Sequence, residues 1–313
     1  MVLALILNIR GQESPNQGYT DFFNQYTMRV DYFHSGTSGE EHFAIDRILN
    51  DGKWSGSKTV LQDELRLGLY FIEVYDQASS TLIYSRGFAS IFGEWQTTGE
   101  AKKQWGTFHE SVRFPWPLKP VTLVVYKRDA LNAFQRIWEL KIDPDSRSVN
   151  PALNKTPYKA FTLLESGPES EKVDIVMLGD GYTTDQMDKF KTDAERLSEE
   201  LFAVEPFKSR KNDMNIRAVQ TPSAVPGVNR PHPGIFKRTP LSVSYSTFDS
   251  ERSALAYDNR TIRDVAATVP YDFMIILINE ETYGGGGIYR LYATVAADNK
   301  FSDYIYVHEF GHH

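Results

Sequence analysis

The hydrophobic pattern changes character once, across residues 143–170, and two separately built units are the simplest chain organisation that accommodates the change. Before it, the chain is rich in aromatic and β-branched residues broken by turn clusters. Strand-like stretches fall at residues 26–33, 69–75, 81–85, 111–114, 121–126 and 133–142. The run Thr27-Met28-Arg29-Val30-Asp31-Tyr32 alternates apolar and polar residues, which predicts one buried and one solvated face. Short strands between polar turns point to an antiparallel β-sandwich. Residues 143–170 are loaded with Pro, Ser and Asn and read as a linker, with one short strand at 160–164. Beyond it, apolar strands at 172–178, 215–220, 272–279 and 289–296 alternate with helical spacing at 184–202 and 253–267, an α/β pattern.

Composition limits what such a chain can do. A length of 313 residues allows two cores, and 41% apolar with 24% charged residues is globular composition. A net charge of −7 without a local Lys/Arg run excludes nucleic acid as the expected partner. The absence of cysteine excludes disulfides, thiolate metal sites and a cysteine nucleophile. No apolar run approaches the ~20 residues of a membrane-spanning helix. The apolar run from Val2 to Leu7 reads as the remnant of a signal peptide, residues 1–18, with a first β-strand as the alternative. The expected location is therefore secreted, periplasmic or at the cell surface.

The chemistry concentrates in His308-Glu309-Phe310-Gly311-His312. On a helix, imidazoles four residues apart project from one face, one turn apart. They can then share one Zn²⁺ at roughly 2.0–2.1 Å each. Glu309 stands beside the first ligand, where its carboxylate can take a proton from an attacking water and pass it to a leaving amine. Gly311 leaves room between the histidines for a neighbouring backbone or a substrate. The expected roles are metal ligation by His308 and His312 and general base catalysis by Glu309, on a helix capped by Ser302 or Asp303. The strand at 289–296 precedes this helix. As an exposed edge it would hold an extended peptide through ladder hydrogen bonds, with Tyr289, Leu291 and Ala293 as the contact residues; an ordinary edge strand is the alternative.

Other residues carry weaker signals. The four glycines at 284–287 lack a following Gly-Lys-Ser/Thr and are expected as a turn or mobile lip beside the cleft. Asp180 is expected to hold a loop by hydrogen bonds rather than bind metal. His232 is a loop residue without a visible partner. His313 points about 100° round the helix from His312 and should not share its metal. His34, His42 and His109 are expected as surface or packing residues. The five tryptophans are expected to pack the core rather than line a sugar-binding face.

The segment Met177-Leu178-Gly179-Asp180-Gly181-Tyr182-Thr183, the glycine-rich approach at 283–288 and the closing His-Glu-x-x-His resemble the bacterial IgA metallopeptidase family, metallopeptidase family sixty-four, from about residue 20 onward. That resemblance implies an N-terminal β-sandwich (19–145), a linker (146–170) and an α/β zincin-like, metzincin-like catalytic domain (171–313). It implies a secreted zinc endopeptidase acting on a protein or peptide, a host glycoprotein among the candidates. The family's third zinc ligand and Met-containing turn would follow residue 313. The catalytic domain is thus expected to be incomplete at its C-terminus and the chain truncated, with little or no activity of its own. The competing expectation is a non-catalytic surface protein that binds a glycan or protein through the sandwich. Another zinc hydrolase acting on amides is a third.

Overall fold

The computed structural model describes residues 18–154 and 156–312; the proposed signal remnant, apart from Gly18, and His313 lie outside the described residues. A single-turn helix α1 (Tyr19–Phe22) leads into β1 (Phe23–Gly36), β2 (Glu41–Lys53), β3 (Tyr70–Asp76) and β4 (Leu82–Phe88). A short helix α2 (Ile91–Trp95) separates these from β5 (Gly106–Pro117), β6 (Val121–Arg128), β7 (Phe134–Ile142) and β8 (Val149–Leu153). The strands form two sheets, β5-β1-β2-β8 and β4-β3-β6-β7, antiparallel except where β8 runs parallel to β2. One apolar core joins them, with Met28, Val30 and Tyr32 from the first sheet and Ile72, Val74, Leu123 and Val125 from the second.

The second unit contains β9 (Lys159–Leu164), β10 (Val173–Asp180), α3 (Met187–Leu201), β11 (Met214–Gln220), β12 (Val243–Ser244), β13 (Leu255–Ala256), α4 (Asn259–Ala266), β14 (Phe273–Ile278), β15 (Gly285–Ile288), β16 (Tyr292–Ala296) and α5 (Ser302–Phe310). Its main sheet has the order β15-β16-β14-β10-β11-β9. The four inner strands run parallel, and both edges are antiparallel to their neighbours. Parallel strands need cover on both faces. Ile175, Met177, Ile275 and Leu277 pack against Phe190 and Leu197 of α3 and Ile305 and Tyr306 of α5. Val176, Leu178, Ile276 and Ile278 face Ile262 and Val265 of α4 on the other side. No helix among the described residues is long and apolar enough to cross a membrane.

Several expectations need correction. The stretch 146–170 is no free linker: β8 extends the first sheet and β9 closes the edge of the main sheet beside β11. The strand expected at 160–164 is β9, whereas Asn150 and Pro151 disguised β8, which needs its ladder partner from β2. The helix expected at 253–267 is shorter, starting where the Asp258 carboxylate accepts a hydrogen bond from the Thr261 N–H at 3.1 Å. Tryptophans 54, 95 and 116 are buried and Trp138 packs against the core, while Trp105 is exposed and stacks on His42. His34 is buried between Glu41 and Glu110, at 2.9 Å from each, and His109 pairs with Asp46. His232 is exposed, 3.3 Å from Glu251.

The largest departure concerns the polar face of β1. Thr27, Arg29 and Asp31 are fully buried rather than solvated, because α4 and the start of β14 cover them. Arg29 reaches Asp31 at 2.9 Å, Asp51 at 2.5 Å and, across the seam, Asp264 of α4 at 2.5 Å. Arg113 pairs with Asp51 at 2.7 Å, donates to the Tyr271 carbonyl and lies over the Tyr271 ring. Ser55 donates to the same carbonyl at 2.6 Å. Burial pushes the Asp31 carboxyl up, but Arg29 and hydrogen bonds from Ser111 and Arg47 outweigh it and hold the group below its ordinary value. A buried guanidinium with three carboxylates has no water to fall back on when a partner is lost. Arg29→Ala is therefore expected to destabilise the protein by about 3–5 kcal/mol, read as a lower urea midpoint; a change under about 1 kcal/mol would contradict this assignment.

Candidate metal centre

Helix α5 is held by what packs on its sides rather than by a cap. Its N-cap residue, Phe301, makes no side-chain cap bond. Arg196 of α3 instead grips the first turn, donating to Asp303 at 2.6 Å, Ser302 Oγ at 3.1 Å and the Ala297 carbonyl at 2.7 Å. Ile305, Tyr306 and Phe310 are buried against the sheet and α3. The regular helix stops at Phe310, yet Gly311 keeps right-handed helical angles. Its N–H bonds the Val307 carbonyl at 3.1 Å, and that of His312 bonds Glu309 at 3.2 Å. The helical path thus continues far enough to set His312 one turn beyond His308.

Ligand atoms of His308, Glu309 and His312 lie within 4.8 Å of one another. The two imidazoles stand edge to face with centroids 5.2 Å apart, and Tyr304 stacks on His308. A Glu309 oxygen is 3.9 Å from His312 Nε2; the carboxylate is 15% exposed while His312 is 51% exposed. Burial raises the Glu309 pKa above its ordinary value, against the opposing pull of His312, His308 and Arg252. Two imidazoles open to solvent, with a largely shielded carboxylate alongside, form a donor set that fits Zn²⁺ with open positions. A second grouping, Asp31, Asp46 and His109, is equally tight. Its carboxylates are already taken by Arg29, Arg47 and Arg260, so its charge is spent on ion pairs.

Three of the four glycines, 285–287, with Ile288 form the edge strand β15 rather than a mobile lip, Gly284 leads into it, and the strand expected at 289–296 is interior. Residues 292–296 pair with β14 on one side and β15 on the other, and Ala293 is fully buried. Ala293 is thus out of reach of a substrate, and Tyr289 and Leu291 lie in the hairpin turn instead. Every glycine has a steric reason. A Cβ on Gly285 would meet Ile305 at 2.9 Å, and one on Gly287 would meet His312 Cβ at 2.8 Å and the Glu309 carbonyl at 2.9 Å. On the opposite face, Gly284 and Gly286 lie against Tyr245 and Leu255, at 2.2 and 3.0 Å from an added Cβ. Alternation along a strand sends successive side chains to opposite faces, so close cover on both demands glycine throughout.

The surroundings come from three further places. Asp180, at the end of β10, holds a loop: it accepts hydrogen bonds from Thr239 Oγ1 at 2.8 Å and from the Leu241 and Val243 amides. Burial raises its carboxyl to about 6 despite those donors. Glu94 of α2 lies within electrostatic reach of His312, and Arg252 within reach of Glu309. Neither was detectable in the sequence, because each comes from a distant segment without a motif of its own.

The IgA Peptidase M64 model matches residues 161–313, and the Peptidase M64 N-terminus model matches residues 18–139. The chain belongs to the IgA peptidase M64 family. Membership implies a peptidase, hence a hydrolase with a protein substrate, and suggests a metal cofactor. No curated protein matches the sequence. In this M64 chain the tightest steric link between edge strand and motif is Gly287. Gly287→Ala is expected to cost about 1–3 kcal/mol in stability. Gly99→Ala, which meets nothing within 4 Å, should stay within about 0.5 kcal/mol. Equal effects at the two sites in thermal unfolding would contradict the close packing of β15 on α5.

Proposed function

We propose that the protein is a secreted zinc-dependent endopeptidase in which His308 and His312 hold the metal and Glu309 is the general base. The supporting observation is the convergence of three ligand atoms within 4.8 Å beside an edge strand with open backbone groups. The Ala296 N–H donates to the Gly284 carbonyl at 3.1 Å, which sets the phase of the antiparallel ladder. By that phase Gly285 and Gly287 turn their amides and carbonyls away from β16. Those of Gly285 are taken by Arg252 and Ala254, both at 3.2 Å. Those of Gly287 have no partner among the described residues, and they lie next to His312. An extended peptide can add there as a strand, bound by its backbone whatever its side chains.

Bound zinc supplies Lewis acidity, making water a nucleophile near neutral pH and polarising the scissile carbonyl. The chain's own residues do the rest. Gly287 orients the peptide backbone. The Glu309 carboxylate accepts the proton of the attacking water and delivers it to the departing amine nitrogen. Partial burial keeps Glu309 basic enough for the first transfer and acidic enough for the second, because its raised pKa brings it nearer neutrality. The reading extends to export into the periplasm or to the cell surface, supported by the apolar run from Val2 to Leu7; recovery of the native product in the cytosolic fraction would count against that part.

In the full-length gene product, Glu309→Gln is expected to lower casein hydrolysis by about 10²–10⁴-fold. Zinc, measured by atomic absorption, should stay at the wild-type level. An unchanged rate, or activity indifferent to chelator, would overturn the proposal.

A further inference from the structure

The seam between the two units encloses a second chemical environment, away from α5. A cavity of about 830 Å³ opens between β4 and β5 on one side and α4, the start of β14 and the β15–β16 turn on the other. Its volume falls in the range of small-molecule sites, which favour domain junctions. Five arginines line it: Arg113 and Arg210 are paired with Asp51 and Asp213, and the other three come from separate segments, Arg86 from β4, Arg263 from α4 and Arg290 from the hairpin turn.

None of these three forms an ion pair with a carboxylate among the described residues, while Asp272 and Asp63 attract Arg86 from farther off. Arg86 makes no hydrogen bond or ion pair among the described residues. Arg263 is 5% exposed; among the described residues its only side-chain hydrogen bond is a long one of 3.3 Å to the Tyr271 hydroxyl, and its buried Nε has no acceptor. Arg290 bonds only the neighbouring Tyr289 hydroxyl. This contrasts with Arg29 and Arg113 nearby, whose charges are matched by Asp31, Asp51 and Asp264. Of the acids lining the cavity, Asp213 pairs with Arg210, Glu171 stands at the rim beside Lys172, and Asp272 accepts from Ser55 and the Asp174 amide while facing Arg86 and Arg113. Buried cations are paired in a resting protein, so unmatched guanidinium groups around one cavity mark a place for an external anion.

We infer that this seam binds a small organic anion whose carboxylates are held by Arg86, Arg263 and Arg290. Guanidinium forks match carboxylate geometry bidentately. The remaining walls include Trp54, Tyr84 and Phe273, which give an apolar body something to pack on and would be idle around an inorganic ion. The site does not depend on the peptidase reading, since no residue of α5 lines it.

The test is calorimetric titration of the 313-residue chain with phthalate, an aromatic dicarboxylate. Its neutral dimethyl ester and inorganic phosphate serve as comparisons. Phthalate is expected to bind with one site per chain and to raise the unfolding temperature, with neither effect from the ester. Arg86→Gln should weaken binding roughly tenfold or more, with the unfolding temperature of the free variant measured alongside because Arg86 also faces Asp272 and Asp63. Arg290→Gln, from an independent segment, should weaken it in the same direction. Absence of phthalate binding at about 10 mM, equal binding of the ester, or full affinity in both variants would overturn the inference. Phosphate binding as tightly as phthalate would overturn the organic part of it.

Discussion

The backbone of β15 lies so close to α5 that no side chain fits between them. A methyl group at Gly287 would press on both His312 and the Glu309 carbonyl, and one at Gly285 on Ile305. Glycine is costly in a strand, since it gives up the most chain entropy and buries no side chain. Four in succession are tolerated here because the opposite face is equally crowded by Tyr245 and Leu255. The gain is positional. Backbone donors and acceptors stand directly beside the imidazoles and the carboxylate, with nothing in between to hold a peptide away.

That arrangement rests on rigid neighbours. Arg196 ties the start of α5 to α3, while Ile305, Tyr306 and Phe310 fix its buried side. At the far end of the hairpin, the Tyr289 carbonyl accepts a hydrogen bond from Ala89 of the first unit at 3.1 Å. The first unit is therefore part of the site's frame rather than an appendage. The Arg29 cluster fastens it to α4, and α2 brings Glu94 within reach of His312. Buried ion pairs of this kind add little net stability over apolar packing, but they penalise any docking that leaves a charge unmatched. They are well suited to fixing how two units meet.

How much of this the sequence disclosed follows from which interactions are local. The spacing of His308 and His312 is set within one helical turn, so their convergence was readable before any fold was known. The strands β10 and β14 were equally plain, being mainly apolar runs buried on both faces. By contrast, β2 is absent from the strands the pattern predicts, because it carries Asp46, Arg47 and Asp51, whose partners lie in other parts of the chain. The same blindness made the polar face of β1 look exposed. The glycines misled for a related reason. Their usual meaning is freedom of the backbone, and only the tertiary contacts with α5 and Tyr245 show that crowding demands them. Helix α5 also starts without the cap that its sequence advertised, since Arg196 draws the Ser302 and Asp303 side chains into its own hydrogen bonds.

The central claim is that His308 and His312 together form a zinc site next to the glycine edge. X-ray absorption at the zinc edge tests it most directly. A protein loaded with one equivalent of zinc should show two imidazole nitrogens at roughly 2.0–2.1 Å, with a pattern that changes in His308→Ala and His312→Ala but persists in Glu309→Gln. A first shell of oxygen alone, or one unaltered by losing either histidine, would contradict the account.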